Sequence, residues 1–280
     1  MRLVIELDRD RDNDTGELVD ASIQPTSTST HDNHWLYSIL TCGFAIAIAV
    51  RPISDSIKSA APVVWLQSQV GAKVASNTAI ANRLYVAMQQ KGYPIAKLPG
   101  FVNIIYVRGS DAKGQPTGNR INEWSDTRFV LMFRSGQPYI AGAWRATIKP
   151  GRNAIKNPLG KSGAAFIEDG YYDAWRLGTH VGIFGRRERA LVQVSPVKFR
   201  RDVNGNGDVA GELLRTGAIG LNQHSGSNSI NVDQTSYGCL VGQSSDGHLK
   251  QFIPLLEKDP RYSSNSQYVF GTAILSIGDL

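Results

Sequence analysis

The sequence predicts a mainly β fold with a few helices, preceded by an apolar helix near the start of the chain. Short runs rich in β-branched and aromatic residues recur from about residue 100 onwards, and clusters of Gly, Pro, Asn and Asp separate them. The 28 glycines among 280 residues suit a fold with many turns. Helical spacing of apolar residues is found in two stretches, one before residue 100 and one near the end of the chain. The runs predicted as strands are Val102–Arg108, Arg128–Arg134, Tyr139–Ile148, Leu191–Phe199 and Val269–Leu275.

Residues 1–34 are predicted to form an acidic, disordered tail. They hold eight acidic and three basic residues, a net charge of −5, whereas the whole chain carries +6. Ser and Thr alternate from residue 26 to residue 30. A segment of this composition cannot bury enough apolar surface to offset the entropy lost on folding.

Residues 35–51 are predicted to form an apolar helix that anchors the chain in a membrane. Trp35–Val50 is a run of 16 residues broken only by Ser38, Thr41 and Gly43. At about 1.5 Å per residue, the run is slightly shorter than a hydrocarbon core of ~30 Å. A signal-peptide core and a buried helix of a globular domain are the alternatives that the composition leaves open.

Residues 52–99 are predicted to form a linker followed by a helix over 74–92, and residues 100–280 to form one β domain. A late helix is expected within that domain over 248–258, because its apolar residues fall on one face. The apolar positions of the two helices are Val74, Ile80, Leu84 and Met88 in the first, and Leu249, Phe252, Ile253 and Leu256 in the second.

The charge beyond the tail is compatible with an anionic partner and equally with a soluble surface that carries excess Lys and Arg. Residues 35–280 carry a net charge of +11, which suits a cell-wall polymer or an anionic lipid surface. The basic residues are scattered singly, apart from the cluster Arg186–Arg189. Aromatic residues do not interleave with them as they do in nucleic-acid interfaces, so we expect no nucleic-acid partner.

The residues with the clearest chemical meaning are Cys239 and His224. Cys42 lies in the apolar run, so a disulfide between the two cysteines is not expected, and neither a metal site nor a cofactor is predicted. His224 precedes Cys239 by 15 residues, close enough for one loop to return the chain to it. A histidine beside a thiol can activate it as a nucleophile. Gly238 allows backbone N–H groups to approach a developing oxyanion.

The segment from His224 to Cys239 resembles the catalytic motif of the L,D-transpeptidase (YkuD-like) family. That motif is a histidine, a loop of some fifteen residues, and then Ser/Thr-His-Gly-Cys; Ser236, Gly238 and Cys239 match its end. The segments Arg134–Arg145, Lys149–Gly151 and Gly163–Phe166 are also similar to parts of that domain. The resemblance covers roughly residues 100–280 and implies a sandwich-like or barrel-like β domain.

The resemblance implies a cysteine acyltransferase that acts on peptidoglycan stem peptides through a thioester intermediate. In this interpretation Cys239 is the nucleophile and His224 its base, with Ser236 and Gly238 also in the catalytic motif. Tyr237 and Trp144 are predicted to contact the substrate. The chain departs from the family at Tyr237, where histidine is usual, and at Val241, where arginine is usual.

Three other interpretations remain open for the function. A peptidoglycan hydrolase would use the same Cys–His pair, a wall-binding module would keep the fold without the chemistry, and an intracellular cysteine hydrolase would act on an unrelated substrate. The substrate predicts an extracytoplasmic catalytic domain tethered by the apolar run. The charges predict the opposite orientation, with the domain on the cytoplasmic side. Arg51 and Lys58 follow the run, residues 14–34 hold no Lys or Arg, and the more basic flank of a membrane helix usually stays inside. The oligomeric state is not predicted.

Other polar residues have plainer interpretations. His180 is the competing partner for the thiol, whereas His248 is expected to be a solvated residue at the start of the late helix. Asp233 is expected to be a turn residue. Asp202–Asp208 resembles the start of a calcium-binding loop, but Leu213 stands where that loop needs glutamate. A turn between two strands is therefore the favoured interpretation.

Overall fold

The computed structural model describes residues 77–182, 185–226 and 228–280. The predicted tail at 1–34, the predicted apolar helix at 35–51 and the linker that follows it lie outside the described residues. Within the described ranges no helix is both long and apolar enough to cross a membrane.

Strands dominate the described part of the chain, which confirms the mainly β prediction. Eight of the eleven strands close a barrel and the other three form a small separate sheet. In chain order the strands are β1 Asn103–Arg108, β2 Asp126–Arg134, β3 Gln137–Thr147, β4 Ala164–Ile167, β5 Gly170–Val181, β6 Arg187–Gln193, β7 Val197–Asp202, β8 Arg215–Gly217, β9 Gln223–Ser225, β10 Leu240–Gly242 and β11 Val269–Ser276.

The barrel order is β1-β11-β5-β6-β9-β10-β3-β2, and β2 pairs with β1 to close it. Two neighbouring pairs are parallel, β1 with β11 and β9 with β10, and the others are antiparallel. Parallel neighbours need a connection that crosses over. Between β9 and β10 that connection is the loop of residues 226–239, which ends at the candidate nucleophile.

Strand β1 shows why several strands have nearly continuous apolar sequences. Ile104 and Tyr106 face the barrel interior, whereas Ile105 and Val107 face a second apolar cluster outside it. Each fully buried aliphatic side chain contributes roughly 1.5–3 kcal/mol. Both faces of this strand are therefore stabilised by burial.

The outer cluster is completed by a helix, α1, whose described part covers residues 77–90. Leu84 and Met88 of α1 pack with Ile105 and Phe129 on the outer face of the barrel. This agrees with the helix predicted over 74–92. The other helices are α2 Arg152–Lys156, a π-helix Gly247–Phe252, α3 Ile253–Glu257, α4 Pro260–Ser264 and short 3₁₀ turns at Asp233–Thr235 and Ile277–Asp279.

The three-stranded sheet has the order β4-β7-β8 and lies against the barrel. Ala165 and Ile167 of β4 and Phe199 of β7 join the barrel core, where they share a cluster with Trp175 and Leu221. Trp175 is fully buried and donates from Nε1 to the Leu221 carbonyl at 2.7 Å. This sheet therefore forms a second wall beside the strands that carry the predicted site.

Two predicted elements differ from the structure. The run Leu191–Phe199 is interrupted between Gln193 and Val197, because Pro196 has no N–H to donate to a ladder. The late helix exists but changes type. Its first part is a π-helix, and the α-helix begins at Ile253 with Pro254 in its first turn, where a missing N–H is tolerated.

The prediction that His248 is a solvated residue is wrong. The residue is fully buried. Its Nε2–H donates to the Arg189 carbonyl at 3.1 Å, and its Nδ1 accepts from Arg128 Nη1 at 3.0 Å. Arg128 is itself fully buried and its guanidinium stacks 3.7 Å from the Phe252 ring centroid. The late helix thus packs on the barrel, and the hydrogen-bonded pair Arg128–His248 is buried beneath it.

Candidate active site

A cavity of about 760 Å³ lies between the outer face of the barrel and the small sheet. Strands β5, β6 and β9 supply one wall with His180, Glu188 and His224, and Cys239 lies beside them just before β10. The opposite wall includes Arg201 of β7. The cavity therefore gathers residues from both sheets around the predicted nucleophile.

The pairing of β9 with β10 brings His224 and Cys239 together. His224 lies opposite Val241, and the Leu240 N–H donates to the Asn222 carbonyl at 2.9 Å. Leu240 faces the barrel interior, so Cys239 and Val241 face outwards with His224. Adjacent strands with a two-residue offset place the α-carbons of Cys239 and His224 roughly 8 Å apart. An imidazole ring can span most of that separation.

His224 is held as a neutral imidazole. Its side chain is nearly buried, and its Nδ1–H donates to the Ser225 carbonyl at 3.0 Å. This assigns the proton to Nδ1 and leaves Nε2 as the basic atom. Burial, and then the neighbouring His180, lower the pKa of His224 to about 3. The residue can therefore accept a proton at neutral pH, although it is a weak base.

Glu188 lies beside this histidine, but other groups bind its carboxylate. Its Oε1 is 3.7 Å from His224 Nδ1, but the carboxylate accepts from the Ser225 N–H at 2.8 Å and the Ser225 hydroxyl at 2.7 Å. Arg186 also pairs with it at 3.1 Å. Glu188 thus holds Ser225, whose carbonyl orients the imidazole.

His180 supports His224 rather than replacing it. The two rings stack with centroids 4.1 Å apart and an angle of 8°. His180 Nδ1 accepts from the Asn222 side-chain amide at 3.0 Å. Its strand is separated from β10 by β6 and β9, whereas β9, which carries His224, pairs directly with β10. His224 therefore lies on the strand next to the Cys239 segment.

Cys239 is expected to be a protonated thiol at neutral pH. Its side chain is half-buried and Sγ donates to the Gly220 carbonyl at 3.5 Å. Burial raises the pKa of the Cys239 thiol to about 11, although the Asn222 backbone acts in the opposite direction. The motif predicted a thiol activated by His224, whereas the hydrogen-bond partner of Sγ in this structure is the Gly220 carbonyl.

The turn before Cys239 is built by Ser236 and Gly238. The buried Ser236 hydroxyl donates to the Cys239 carbonyl at 2.9 Å and accepts from the Gly238 N–H at 3.1 Å. Gly238 has a φ of 122°, and a Cβ there would lie 2.5 Å from the Ala165 carbonyl oxygen. Glycine is therefore required by both conformation and space.

Of the two backbone N–H groups expected to face an oxyanion, those of Gly238 and Cys239, only the second is without a hydrogen-bond acceptor among the described residues. The Gly238 N–H is already bound to Ser236, whereas no described residue accepts a hydrogen bond from the Cys239 N–H. This second N–H lies next to the thiol by covalent connection. It is therefore the available backbone donor at the site.

Of the two residues predicted to contact substrate, only Tyr237 lines the cavity. Trp144 does not. Its Nε1 donates to Gln251 at 2.8 Å and its ring meets Phe252 edge to face at 5.7 Å. The position of Trp144 on β3 directs it towards the late helix, which its sequence did not indicate.

The loop Asp202–Asp208 forms the predicted turns. The Asp202 carboxylate accepts from the backbone N–H groups of Asn206 and Gly207, and Asp208 accepts from Ala210. These are side-chain-to-backbone bonds typical of turns. In the part of the chain that the structure describes, no three His, Cys, Asp or Glu residues form a group that could hold a metal ion.

The chain matches no protein-family model, no curated protein and no solved structure. Chemically, the cavity combines a thiol, a neutral imidazole, a free backbone N–H and two arginines. This set can support nucleophilic attack on a carbonyl carbon. In the sequence Arg186–Arg189 is recognisable only as a charge cluster, and no pattern indicates that Glu188, Asn222 or Arg201 joins the site.

Proposed function

We propose that the protein is a cysteine-dependent acyltransferase that acts on the stem peptides of peptidoglycan. The observation that carries this proposal is that Cys239 and His224 share one face of two adjacent strands beside a cavity large enough for a peptide. The substrate comes from the resemblance of the His224–Cys239 segment to the L,D-transpeptidase motif. The barrel is accordingly proposed to be a divergent domain of that type.

The reaction begins when His224 Nε2 takes the thiol proton as Sγ attacks the carbonyl carbon of an L,D peptide bond. The Cys239 N–H donates to the carbonyl oxygen, which becomes negative. The tetrahedral species then collapses to a thioester, and the imidazolium returns its proton to the leaving amine. An acceptor amine attacks the thioester, forms a new amide and regenerates the thiol.

Proton transfer and attack must be coupled. Moving a proton from a thiol with a pKa of about 11 to an imidazole with a pKa of about 3 costs on the order of 10 kcal/mol, before the attraction between the two ions is counted. A separate thiolate is therefore scarce in the resting enzyme. The substrate carbonyl has to be in place, and Sγ has to turn away from Gly220, before the proton moves.

The proposed substrate has consequences for location. Peptidoglycan lies outside the cytoplasmic membrane, so the catalytic domain is proposed to be extracytoplasmic and tethered by residues 35–51. Those residues lie outside the described part of the chain. Protease treatment of intact spheroplasts tests the proposal, which requires the domain of residues 100–280 to be degraded from outside.

A non-catalytic wall-binding module is the second candidate. It is favoured by the hydrogen bond of the Cys239 Sγ to the Gly220 carbonyl, and by Val241, a fully buried residue where the resembling family usually has arginine. A stem peptide would then bind the cavity without forming a covalent adduct.

The test is incubation of the full chain with tetrapeptide-stem muropeptides, followed by intact-mass detection of a thioester on Cys239. We expect an adduct in the wild type and none in Cys239→Ala. His224→Ala should form it about 10²–10⁴ times more slowly because the base is lost. His180→Ala should lose less than His224→Ala, since it only supports the ring.

Each remaining outcome has a defined meaning. New muropeptide dimers identify transfer, and shortened stems without dimers identify the hydrolase alternative. Binding without any adduct in the wild type contradicts the enzyme and favours the wall-binding module. A larger loss in His180→Ala than in His224→Ala, at equal stability, would reverse the assignment of the base.

A further inference from the structure

The wall of the cavity opposite His224 carries an arginine close to the nucleophile's turn. Arg201 lines the cavity from β7 and pairs with Ala165 of β4. The Ala165 carbonyl oxygen and Cβ in turn lie directly against Gly238, the residue before Cys239. Arg201 therefore lies on the strand next to the one that packs against the turn before Cys239, and both residues line the same cavity.

Arg201 has no acidic partner among the described residues. Its Nη1 donates to the Gly163 carbonyl at 2.9 Å, and its guanidinium lies 5.3 Å from the Phe199 ring centroid. The remaining guanidinium N–H groups make no hydrogen bond to a described residue. Burial, followed by the nearby Arg215, lowers the pKa of Arg201, which nevertheless keeps its charge at neutral pH.

The other charges at the cavity are already paired. Glu188 is the one acidic residue in the described lining, and Ser225 and Arg186 hold its carboxylate. Arg200, the neighbour of Arg201 on β7, faces the other way and pairs with Glu168 at 2.9 Å. Arg201 thus differs from both arginines, because its charge faces the cavity without a counter-ion.

We propose that Arg201 binds a free carboxylate of the acyl donor and positions the scissile carbonyl beside Cys239. A guanidinium can hold a carboxylate through two parallel hydrogen bonds. The half-buried position limits screening by solvent. That the carboxylate belongs to a stem peptide rests on the proposed function, whereas the preference for a carboxylate rests on Arg201 itself.

The first arm of the test measures binding in the full chain carrying Cys239→Ala, which prevents turnover. A stem tetrapeptide with a free terminal carboxylate is compared with the same peptide as its terminal amide, by calorimetry. We expect the carboxylate to bind about tenfold more tightly, as one charge-assisted contact would give. Arg201→Gln should abolish this preference and Arg201→Lys should keep part of it.

Arg200→Gln is the matched control, since it removes the same charge from the same strand on the face away from the cavity. It should leave the carboxylate preference intact. A preference that survives Arg201→Gln, or one that Arg200→Gln removes equally, overturns the proposal. Binding of both peptides with equal affinity by the Cys239→Ala parent overturns it as well.

The second arm separates this inference from the proposed substrate. Iodoacetate and iodoacetamide both alkylate a thiolate with loss of iodide, and they differ in carrying a carboxylate or an amide. The iodoacetate rate at Cys239 divided by the iodoacetamide rate should fall several-fold in Arg201→Gln. The iodoacetamide rate itself should stay within about twofold. If neither peptide binds, the proposed substrate is wrong. An unchanged alkylation ratio then shows that Arg201 is no carboxylate site.

Discussion

At the scale of single residues, the proton of the resting Cys239–His224 pair is expected on the sulfur of Cys239. The cause is burial, which disfavours the charged forms of both Cys239 and His224. A thiolate–imidazolium pair would need a more solvated environment or a stronger counter-charge. The carboxylate of Glu188 does not supply it, because Ser225 and Arg186 already engage it. The resting protein should therefore react slowly with simple electrophiles.

This leads to a prediction for the pH dependence of alkylation. The rate of iodoacetamide labelling at Cys239 should rise about tenfold per pH unit from pH 7 to pH 10, because only the thiolate reacts and the pKa is about 11. Labelling is followed by peptide mass spectrometry, with Cys239→Ala as the control that reports Cys42 alone. A rate that is already constant between pH 6 and pH 8 would contradict a neutral resting pair.

At the scale of elements, the short turn Ser236–Cys239 determines the position of the nucleophile. The Ser236 hydroxyl holds the turn through two hydrogen bonds, and the Ala165 carbonyl packs closely against Gly238. The turn leads into β10, which is only three residues long. The register of β10 with β9 places Cys239 and His224 on one face. The position of the thiol thus depends on this turn and not on a long strand.

Replacement of Gly238 by alanine should destabilise the protein. The new Cβ would meet the Ala165 carbonyl oxygen at 2.5 Å in a backbone conformation of φ 122°. We expect the free energy of unfolding to fall by roughly 2–4 kcal/mol, measured by urea denaturation at pH 7.

Gly278→Ala is the matched control for that replacement. A Cβ at Gly278 would meet nothing within 4 Å, so the change should alter stability by less than about 0.5 kcal/mol. Equal stability of the two variants would show that the turn tolerates a side chain, and that the strain argument is wrong.

At the scale of the whole molecule, two histidines are buried as neutral groups. His224 lies in the outer wall of the barrel and His248 lies beneath the late helix. Burial, followed by the neighbouring His180, lowers the pKa of His224 to about 3. Burial, followed by the neighbouring Arg128, lowers the pKa of His248 to about 2. The unfolded chain binds these protons near pH 6.5, so protonation couples directly to unfolding.

Stability should therefore fall as the pH drops from 6.5 towards 3. In that window the unfolded chain binds more protons than the folded one, so each histidine lowers the free energy of unfolding by up to about 1.4 kcal/mol per pH unit. His248→Gln should remove one of these two contributions. The measurement is urea denaturation at pH 7, 6, 5 and 4, compared between wild type and variant.

His31→Gln provides the control, because the composition of residues 1–34 predicts a tail without packed structure. Its pH dependence should match that of the wild type. If His248→Gln shows the same slope as the wild type between pH 6 and pH 4, His248 is not held neutral by burial.

The order of apolar and turn residues was sufficient to predict much of the fold. Strands β1, β2, β3 and β11 and helix α1 were predicted because their stabilising contacts follow local periodicity. Strand β5 was missed, since polar residues and Gly178 break the apolar pattern of its 12 residues. Strand β10 was missed because three residues carry too little signal. The existence of β5 and β10 depends on neighbours that the chain reaches only after folding.

For the site, the sequence by itself determined the pair of residues to consider, because chain order and spacing mark His224 and Cys239. Only the tertiary structure decided their proton state and their surroundings. His180, Glu188 and Arg201 lie on strands far from Cys239 in sequence, and the barrel and the small sheet bring them to one cavity. Burial and electrostatic interactions act through space. The protonation of Cys239 therefore depends on how the strands pack, which no spacing along the chain records.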